Sequence, residues 1–307
     1  MPASVVLTNV VKVFEAEKHR RVVAVDRLSF EVQRGEVFSL VGPDGAGKTT
    51  TIRMMCGVLP PTEGTITLLG LDIMKDKEEV KNHIGYLSQK FSLYGDLTID
   101  ENIDFFAEIH KVRNYESRKE ELLQFTRLTP FRDRLAARLS GGMKQKLALA
   151  CTLVHAPEII FLDEPTTGVD PVSRRDFWKI LSSLLKSGIT IIVTTPYLDE
   201  AERSTRVALI NEGRLLMCET PERVKNSFQF DVFEIVCDDA RGAREKLQPT
   251  LEESDIQLFG DRLHLLHPKG KASEGHIQQE LNKLGISAKS FRRIPASLED
   301  VFVSAIG

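Results

Sequence analysis

The chain has 307 residues, enough for one large α/β domain or for such a domain with a small appendage. Hydrophobic residues make up 42% and charged residues 28%, and the formal net charge of −3 gives no basic footprint for nucleic acid. No apolar run approaches the roughly 20 residues of a membrane-spanning helix, and no signal-peptide pattern opens the chain. We therefore expect a cytoplasmic protein with no nucleic-acid partner.

The chain begins with a predicted pair of strands, over residues 5–14 and 22–32, where apolar and polar residues alternate. A short buried strand over 36–41 follows them. Phe14 ends the first strand, at a place where its ring could stack on adenine. An ordinary half-buried strand phenylalanine explains the same residue equally well.

A glycine-rich loop joins the strand over 36–41 to a predicted helix over 48–56, and it fits the pattern Gly-x4-Gly-Lys-Ser/Thr. Glycines let the backbone turn its amides towards phosphates, and the helix start adds a positive dipole. Lys48 is expected to reach the β- and γ-phosphates, and Thr49 to ligate Mg²⁺. A plain glycine turn is the weaker reading. The loop consists of Gly42, Pro43, Asp44, Gly45, Ala46, Gly47, Lys48, Thr49 and Thr50.

The middle of the chain is predicted to be helical. After strands over 64–69 and 83–87 comes Gln89, and then helices are expected over 98–110, 117–127 and 143–154. We interpret roughly residues 90–150 as a helical insertion in the α/β domain.

A second anion-binding helix start is predicted at residues 139–145, Leu-Ser-Gly-Gly-Met-Lys-Gln. Ser140 can cap the helix, while Gly141 and Gly142 leave its first amides bare. Taken alone, these residues are better explained as an ordinary helix cap.

Two acidic residues, Asp163 and Glu164, follow a buried strand over 158–162. They lie at the predicted carboxyl edge of a parallel sheet, where ligands bind. Asp163 can hold the Mg²⁺ shell, and Glu164 can deprotonate a water that attacks a γ-phosphate. A helix over 172–185 and a strand over 189–193 are predicted next, before a hairpin of residues 207–218.

The pattern changes beyond residue 225. Strands and helices are predicted in the order β-α-β-β-α-β, which suggests a small α+β domain of ferredoxin-like type. We therefore expect two domains, residues 1–225 and 226–307. The second domain contains no recognisable set of catalytic residues. Its sequence is explained equally well by a packing appendage and by a regulatory or dimerising domain.

With these motifs in this order, residues 4–220 resemble the ATP-binding subunit of an ABC transporter. Residues 295–302, Pro-Ala-Ser-Leu-Glu-Asp-Val-Phe, resemble part of the carboxyl-terminal extension of daunorubicin-resistance-type exporter ATPases. The matching family motifs are Walker A (42–50), the Q-loop glutamine (Gln89), the signature (139–145), Walker B (159–164), the D-loop (168–170) and the adenine-stacking aromatic (Phe14).

The resemblance implies a P-loop ATPase core with an inserted helical subdomain, which hydrolyses ATP to drive export of a drug-like or lipid-like substrate. It implies separate transmembrane permease subunits and a peripheral location on the cytoplasmic face of the cell membrane. In a head-to-tail homodimer or heterodimer, Ser140, Gly141 and Gly142 of one subunit would complete the site of the other. Glu164 and Gln89 would be catalytic, and Mg²⁺ would be held by Thr49, Gln89 and Asp163.

Pro196 departs from the family pattern, which has a histidine here that contacts the γ-phosphate. Proline has no side-chain donor and no backbone N–H, although it also starts a helix well. A hydroxyl of Thr194, Thr195 or Tyr197 could substitute for the missing donor.

Two alternative functions follow from the sequence. Because of Pro196, the chain could be a weakly active or regulatory ATPase in a heteromeric complex. A soluble ABC protein that acts on DNA or ribosomes is less consistent, since such proteins usually carry coiled coils, two cassettes or basic segments.

Overall fold

The computed structural model describes residues 3–16, 20–90, 93–250, 255–271 and 273–306. The chain forms two compact units, Met1–Pro221 and Glu222–Gly307. The predicted boundary between residues 225 and 226 falls inside a helix that runs from Pro221 to Ser227. Within the described ranges, no helix combines the length and the apolar character needed to cross a bilayer.

The first unit contains ten strands and seven α-helices among its described residues. The strands are β1 (Ala3–Ala16), β2 (Arg20–Gln33), β3 (Val37–Val41), β4 (Glu63–Leu68), β5 (Leu71–Asp72), β6 (Ile84–Leu87), β7 (Ile159–Asp163), β8 (Thr190–Thr195), β9 (Arg206–Asn211) and β10 (Arg214–Glu219). The helices are α1 (Lys48–Met55), α2 (Lys77–His83), α3 (Ile99–Ile109), α4 (Glu116–Thr126), α5 (Gly141–Leu153), α6 (Pro171–Lys186) and α7 (Leu198–Ala201).

A six-stranded sheet organises this unit, in the order β10-β9-β3-β8-β7-β6. Its five strands from β9 to β6 pair in parallel, and β10 closes the edge as the antiparallel partner of β9. The strands β3, β7 and β8 are fully buried runs of mainly apolar residues, as expected for a parallel sheet covered on both faces. Their carboxyl ends meet at one edge, which is where the site described below lies.

The two faces of the six-stranded sheet are covered differently. On one face, α1 and a second sheet of order β2-β1-β4-β5 share a core with side chains such as Phe38 and Ile52. On the other face, the helical insertion and α6 share a core that includes Leu147, Leu162 and Phe177. The predicted helical insertion is therefore present as α3, α4 and α5.

Local signals explain where these helices begin. Thr98 forms a capping box with Glu101, because the Thr98 hydroxyl accepts from the Glu101 amide and the Glu101 carboxylate accepts from the Thr98 amide. Pro171 occupies the first position of α6, where its missing N–H costs nothing. The short helix α2 and strand β5 were not predicted; α2 buries only Val80, so it has no apolar stripe to detect.

The second unit contains the predicted order β-α-β-β-α-β, with one further helix before it and one after it. After α8 (Pro221–Ser227) come β11 (Phe230–Cys237), α9 (Ala240–Leu247), β12 (Asp255–Phe259), β13 (Arg262–Pro268), α10 (Glu274–Lys283), β14 (Ala288–Ile294) and α11 (Leu298–Ile306). The sheet order is β12-β13-β11-β14, and every pairing is antiparallel. Side chains of α9 and α10 share its core with Phe233, Ile235 and Leu265.

The last helix, α11, was not predicted. Its start is fixed by Ser297 and Asp300, since the Ser297 amide donates to Asp300 Oδ2 (2.8 Å) and the Asp300 amide donates to Ser297 Oγ (3.1 Å). The buried Asp300 carboxylate also lies 2.7 Å from His264 Nδ1 on β13. The Ser-x-x-Asp pattern before an apolar run is a helix-start signal that the sequence contains.

Candidate nucleotide site

Three predicted motifs meet the end of β8 at the carboxyl edge of the six-stranded sheet. The phosphate loop follows β3, the pair Asp163 and Glu164 ends β7, Gln89 follows β6, and Thr194 and Thr195 end β8. Because parallel strands point the same way, segments that are far apart in sequence converge here.

The phosphate loop requires glycine at two of its positions. A Cβ on Gly42 would lie 2.2 Å from the carbonyl oxygen of Ile210, and a Cβ on Gly47 would lie 2.4 Å from that of Ala24. Gly47 also has a φ of 97° and is the N-cap of α1. The loop therefore packs backbone against backbone, and the first amides of α1 have no acceptor within the helix.

The Lys48 side chain is held inside this loop and is only 4% exposed. Its ammonium donates to the carbonyl oxygens of Gly42 (2.9 Å) and Pro43 (3.1 Å). It also lies 3.2 Å from Glu164 Oε1, and 3.9 Å from the exposed Asp44. The predicted phosphate-binding cation and the predicted base therefore share one buried site.

Asp163 is completely buried and lies next to Thr49, as a shared Mg²⁺ site requires. Its Oδ1 atom accepts from the hydroxyls of Thr49 (3.0 Å) and Thr194 (2.7 Å). Its Oδ2 atom has no hydrogen-bond partner in the described part of the chain. A buried carboxylate oxygen without a hydrogen-bond partner, next to a hydroxyl, is suited to bind a hard divalent cation, because such cations prefer oxygen ligands.

Glu164 is held in an unusual backbone conformation, with a φ of 47°. Its amide donates to the carbonyl oxygen of Thr194 (3.1 Å) and to the Thr194 hydroxyl (2.9 Å). Gln89 Nε2 donates to Glu164 Oε2 at 2.9 Å. Gln89 thus contacts the predicted base directly, and both side chains lie beside the phosphate loop.

The residues of the signature motif are not part of this cluster. Ser140 is the N-cap of α5, and its hydroxyl accepts from the Met143 amide at 3.3 Å, as predicted. A Cβ on Gly142 would lie 2.5 Å from the hydroxyl of Ser173 on α6, so the glycine permits close helix packing. No hydrogen bond or ion pair between described residues links Ser140, Gly141 or Gly142 to Lys48 or Asp163.

Phe14 is 39% exposed near the end of β1. The Lys12 ammonium lies 5.3 Å from the centre of its ring. The ring is therefore open to solvent on β1, and its stacking on adenine stays a prediction.

Pro196 lies between β8 and α7, and the two threonine hydroxyls before it are already engaged. Thr194 donates to Asp163, and Thr195 donates to Glu200 Oε2 at 3.2 Å. The ring of Tyr197 lies beneath the Arg174 guanidinium, at 4.6 Å. Neither threonine hydroxyl is left free to replace the histidine of the family pattern.

Two residues of the site, Thr194 and Glu200, make contacts that the sequence does not predict. The Thr194 hydroxyl donates a hydrogen bond to Asp163 and accepts one from the Glu164 amide. The available signal was its position, since it ends a buried strand at the same sheet edge as Asp163.

Comparisons with known proteins agree with this geometry. Residues 25–167 match the family model described as ABC transporter. Over 287 residues the chain is 37% identical to the Nod factor export ATP-binding protein I of Burkholderia thailandensis, which covers 92% of each protein. The chain belongs to the ABC transporter ATP-binding proteins. It is also 41% identical over 241 residues to the probable multidrug ABC transporter ATP-binding protein YbhF of Escherichia coli, but this match spans 78% of the chain and only 39% of YbhF.

Solved ABC cassettes share the fold. The dimeric post-hydrolysis structure of the cassette MJ0796 bound to ADP and Pi has a TM-score of 0.64 at 28% identity, covering 70% of this chain and 98% of that one. CbiO1 from Clostridium perfringens has a TM-score of 0.67 at 25% identity, covering 81% and 98%. The predicted ABC-type ATPase core is therefore confirmed.

Proposed function

We propose that this ABC protein binds and hydrolyses ATP to energise export by a separate membrane permease. The observation that carries the proposal is the buried cluster of Lys48, Thr49, Asp163 and Glu164 at the sheet edge. Export as the direction of transport is supported by the names of the relatives, which refer to multidrug transport and Nod factor export.

Each residue of the cluster has a role in this proposal. Lys48 and the loop amides bind the phosphates, while Thr49, Asp163 and Gln89 would hold the Mg²⁺ that accompanies ATP. Glu164 orients a water and accepts its proton as the water attacks the γ-phosphorus, while the bond from that phosphorus to the β–γ bridging oxygen breaks and ADP leaves. Bound Mg²⁺ would supply charge neutralisation at the phosphate oxygens.

The signature residues support a dimer. Ser140, Gly141 and Gly142 start a 13-residue helix and make no polar contact with the phosphate loop of the same chain. In a head-to-tail homodimer or heterodimer, this helix start would face the nucleotide of the partner subunit. The dimeric state of the MJ0796 cassette is consistent with that arrangement.

A cleft of about 530 Å³ in the first unit is the surface that fits the permease. It lies between the end of α1, strand β6 and helix α3, and the exposed apolar side chains of Val58 and Ile109 border it. An amphipathic cytoplasmic helix could bury an apolar face there. Docking in this cleft would hold the chain on the cytoplasmic face of the membrane.

A second candidate function is a weakly active or regulatory ATPase in a heteromeric complex. The observation that favours it is Pro196, because the neighbouring hydroxyls of Thr194 and Thr195 are committed to Asp163 and Glu200. In that case the partner's site would perform most of the hydrolysis, and this chain would lend it Ser140 and Asp170.

The phosphate-loop lysine provides the first test. Lys48→Ala should weaken Mg²⁺-dependent ATP binding by about 10- to 100-fold, because a charge-assisted contact is lost. Equilibrium binding of fluorescent ATP measures this, with Lys75→Ala as the control at an exposed lysine. Unchanged affinity in Lys48→Ala would defeat the assignment of the loop.

The choice between partners needs a separate experiment. The chain is co-expressed with a candidate membrane permease, and the purified complex is assayed for ATP hydrolysis. We expect co-purification and stimulated turnover. Co-purification with ribosomes or DNA, without the membrane protein, would instead support a soluble ABC protein.

A further inference from the structure

A buried carboxylate, Glu200, joins the segment after Glu164 to the end of β8. Glu200 is only 1% exposed. Its Oε2 atom accepts from the hydroxyls of Thr166 (2.7 Å) and Thr195 (3.2 Å). Its Oε1 atom lies 3.2 Å from Arg174 Nε on α6. Burying a carboxylate is costly unless it is paired and hydrogen-bonded, so these contacts must hold it in place.

These contacts restrain the backbone on both sides of Glu164. A φ of 47° is uncommon for a residue other than glycine and persists only where its surroundings enforce it. On one side, the carbonyl and hydroxyl oxygens of Thr194 both accept hydrogen bonds from the Glu164 amide. On the other side, Thr166 comes two residues later, and its hydroxyl is fixed by Glu200.

We propose that Glu200 is a positioning residue for Glu164. By holding Thr166 against Thr195, it keeps the Glu164 carboxylate directed at the phosphate loop, where its Oε1 atom lies 3.2 Å from Lys48. The inference rests on the proposed function, because it requires that Glu164 act as the base. The Glu200 carboxylate connects the end of β8 to the residues after Glu164, because it accepts from both Thr195 and Thr166.

The test uses two nearly isosteric variants, Glu200→Gln and Thr166→Val. Each removes part of the contact without touching the phosphate loop. Small displacements of a catalytic group can cost up to about 100-fold in rate, so kcat for ATP should fall by about 10- to 100-fold. The Kd for AMP-PNP with Mg²⁺ should change by less than about twofold, since substrate binding is not affected. Thr166→Ser keeps the hydroxyl and should keep the rate.

Two controls separate positioning from general damage. Asp199→Asn makes the same chemical change at the exposed neighbouring residue, and it should keep the wild-type kcat. The double variant Glu200→Gln/Thr166→Val should lose no more than the more damaging single variant, because both changes break the same contact.

Three results would overturn the inference. They are wild-type kcat in both single variants, fully additive losses in the double variant, and a parallel loss of AMP-PNP binding. If the wild-type chain hydrolyses ATP and Glu164→Gln abolishes this while Glu200→Gln does not slow it, the inference fails and the proposed function stands. If neither the wild-type chain nor its complex with the permease hydrolyses ATP, both fail.

Discussion

The ammonium of Lys48 has a protein anion as its nearest charged partner, Glu164 Oε1 at 3.2 Å. Both side chains are less than a tenth exposed, and breaking such a buried pair leaves an uncompensated charge. Phosphate groups in the loop would compete with Glu164 for the same ammonium. Binding of ATP would therefore also release the carboxylate that the proposed mechanism needs as a base.

Pro196 leads to a prediction about the rate of hydrolysis. Removal of one preorganised donor from a charge-stabilising site costs on the order of 10²–10³ in rate. The isolated chain should therefore hydrolyse ATP slowly, and Pro196→His should raise its turnover at least about tenfold. Steady-state phosphate release measures both rates.

A matched control for this variant is Pro196→Ala, which restores the backbone N–H without an imidazole. Its turnover should stay close to that of the wild type if the side-chain donor is what is missing. Wild-type turnover of about 1 s⁻¹ or more, with no gain in Pro196→His, would show that the site has a working replacement.

At the residue scale, the sequence predicts the motif residues but not the contacts between them. Lys48, Asp163 and Glu164 are recognisable because a phosphate loop and an acidic pair each have a fixed local pattern. Thr194 and Glu200 have no such pattern. Their roles arise only when β8 and α7 are placed beside β7, which a linear sequence does not reveal.

Two helix ends meet in a stacked histidine pair. The rings of His110, which ends α3, and His155, which follows α5, are parallel to within 6° with their centres 3.9 Å apart. The Nε2–H of His155 donates to the carbonyl oxygen of Ile84 on β6 at 2.8 Å, and its Nδ1 is buried with no partner in the described ranges. Burial lowers the pKa of His155, and the nearby His110 lowers it further, so the neutral ring is favoured.

Acidification should therefore destabilise this part of the fold. The pKa of His155 is lower in the folded chain than its ordinary value of about 6.5, so the unfolded chain binds more protons as the pH falls through that value. Going from about pH 7.5 to about pH 5.5, the wild type should lose a few degrees more in Tm than His155→Gln, which keeps a donor but does not titrate. Differential scanning calorimetry measures the difference.

The exposed histidine His276, on α10, provides the control for this experiment. His276→Gln should show the same pH dependence as the wild type. If His155→Gln and the wild type lose the same Tm on acidification, the pH response originates elsewhere and the assignment to His155 is wrong.

At the element scale, the sequence predicts long periodic segments better than short ones. The apolar stripes of α3 and α6 and the buried runs of β3 and β7 are visible because burial on one or both faces dictates residue type. The strand β5 has two residues and α2 has seven, so neither carries enough periodicity to be detected. For α11 the sequence contains a helix-start signal in Ser297 and Asp300. The contact that joins Asp300 to His264 on β13 cannot be predicted from this local signal.

At the scale of the whole molecule, each unit has its own hydrophobic core. The second unit buries Phe233, Ile235 and Leu281 within residues 222–307. The phosphate loop, Asp163 and Glu164 all belong to the first unit. The change in the pattern of strands and helices beyond residue 225 is enough to predict a second domain, but the exact boundary depends on α8, which crosses the predicted one.

We predict that the second unit is dispensable for nucleotide binding. A shortened chain of residues 1–227, which keeps α8 whole, should fold and bind Mg²⁺-ATP with a Kd within about threefold of the full chain, because no residue of its phosphate loop or acidic pair has been removed. The same shortened chain with Lys48→Ala is the control, and it should lose binding as the full-length variant does. Circular dichroism establishes folding before affinity is measured. A shortened chain that is folded but binds no nucleotide would show that residues beyond 227 contribute to the site. The prediction that the first unit binds nucleotide without the second would then be wrong.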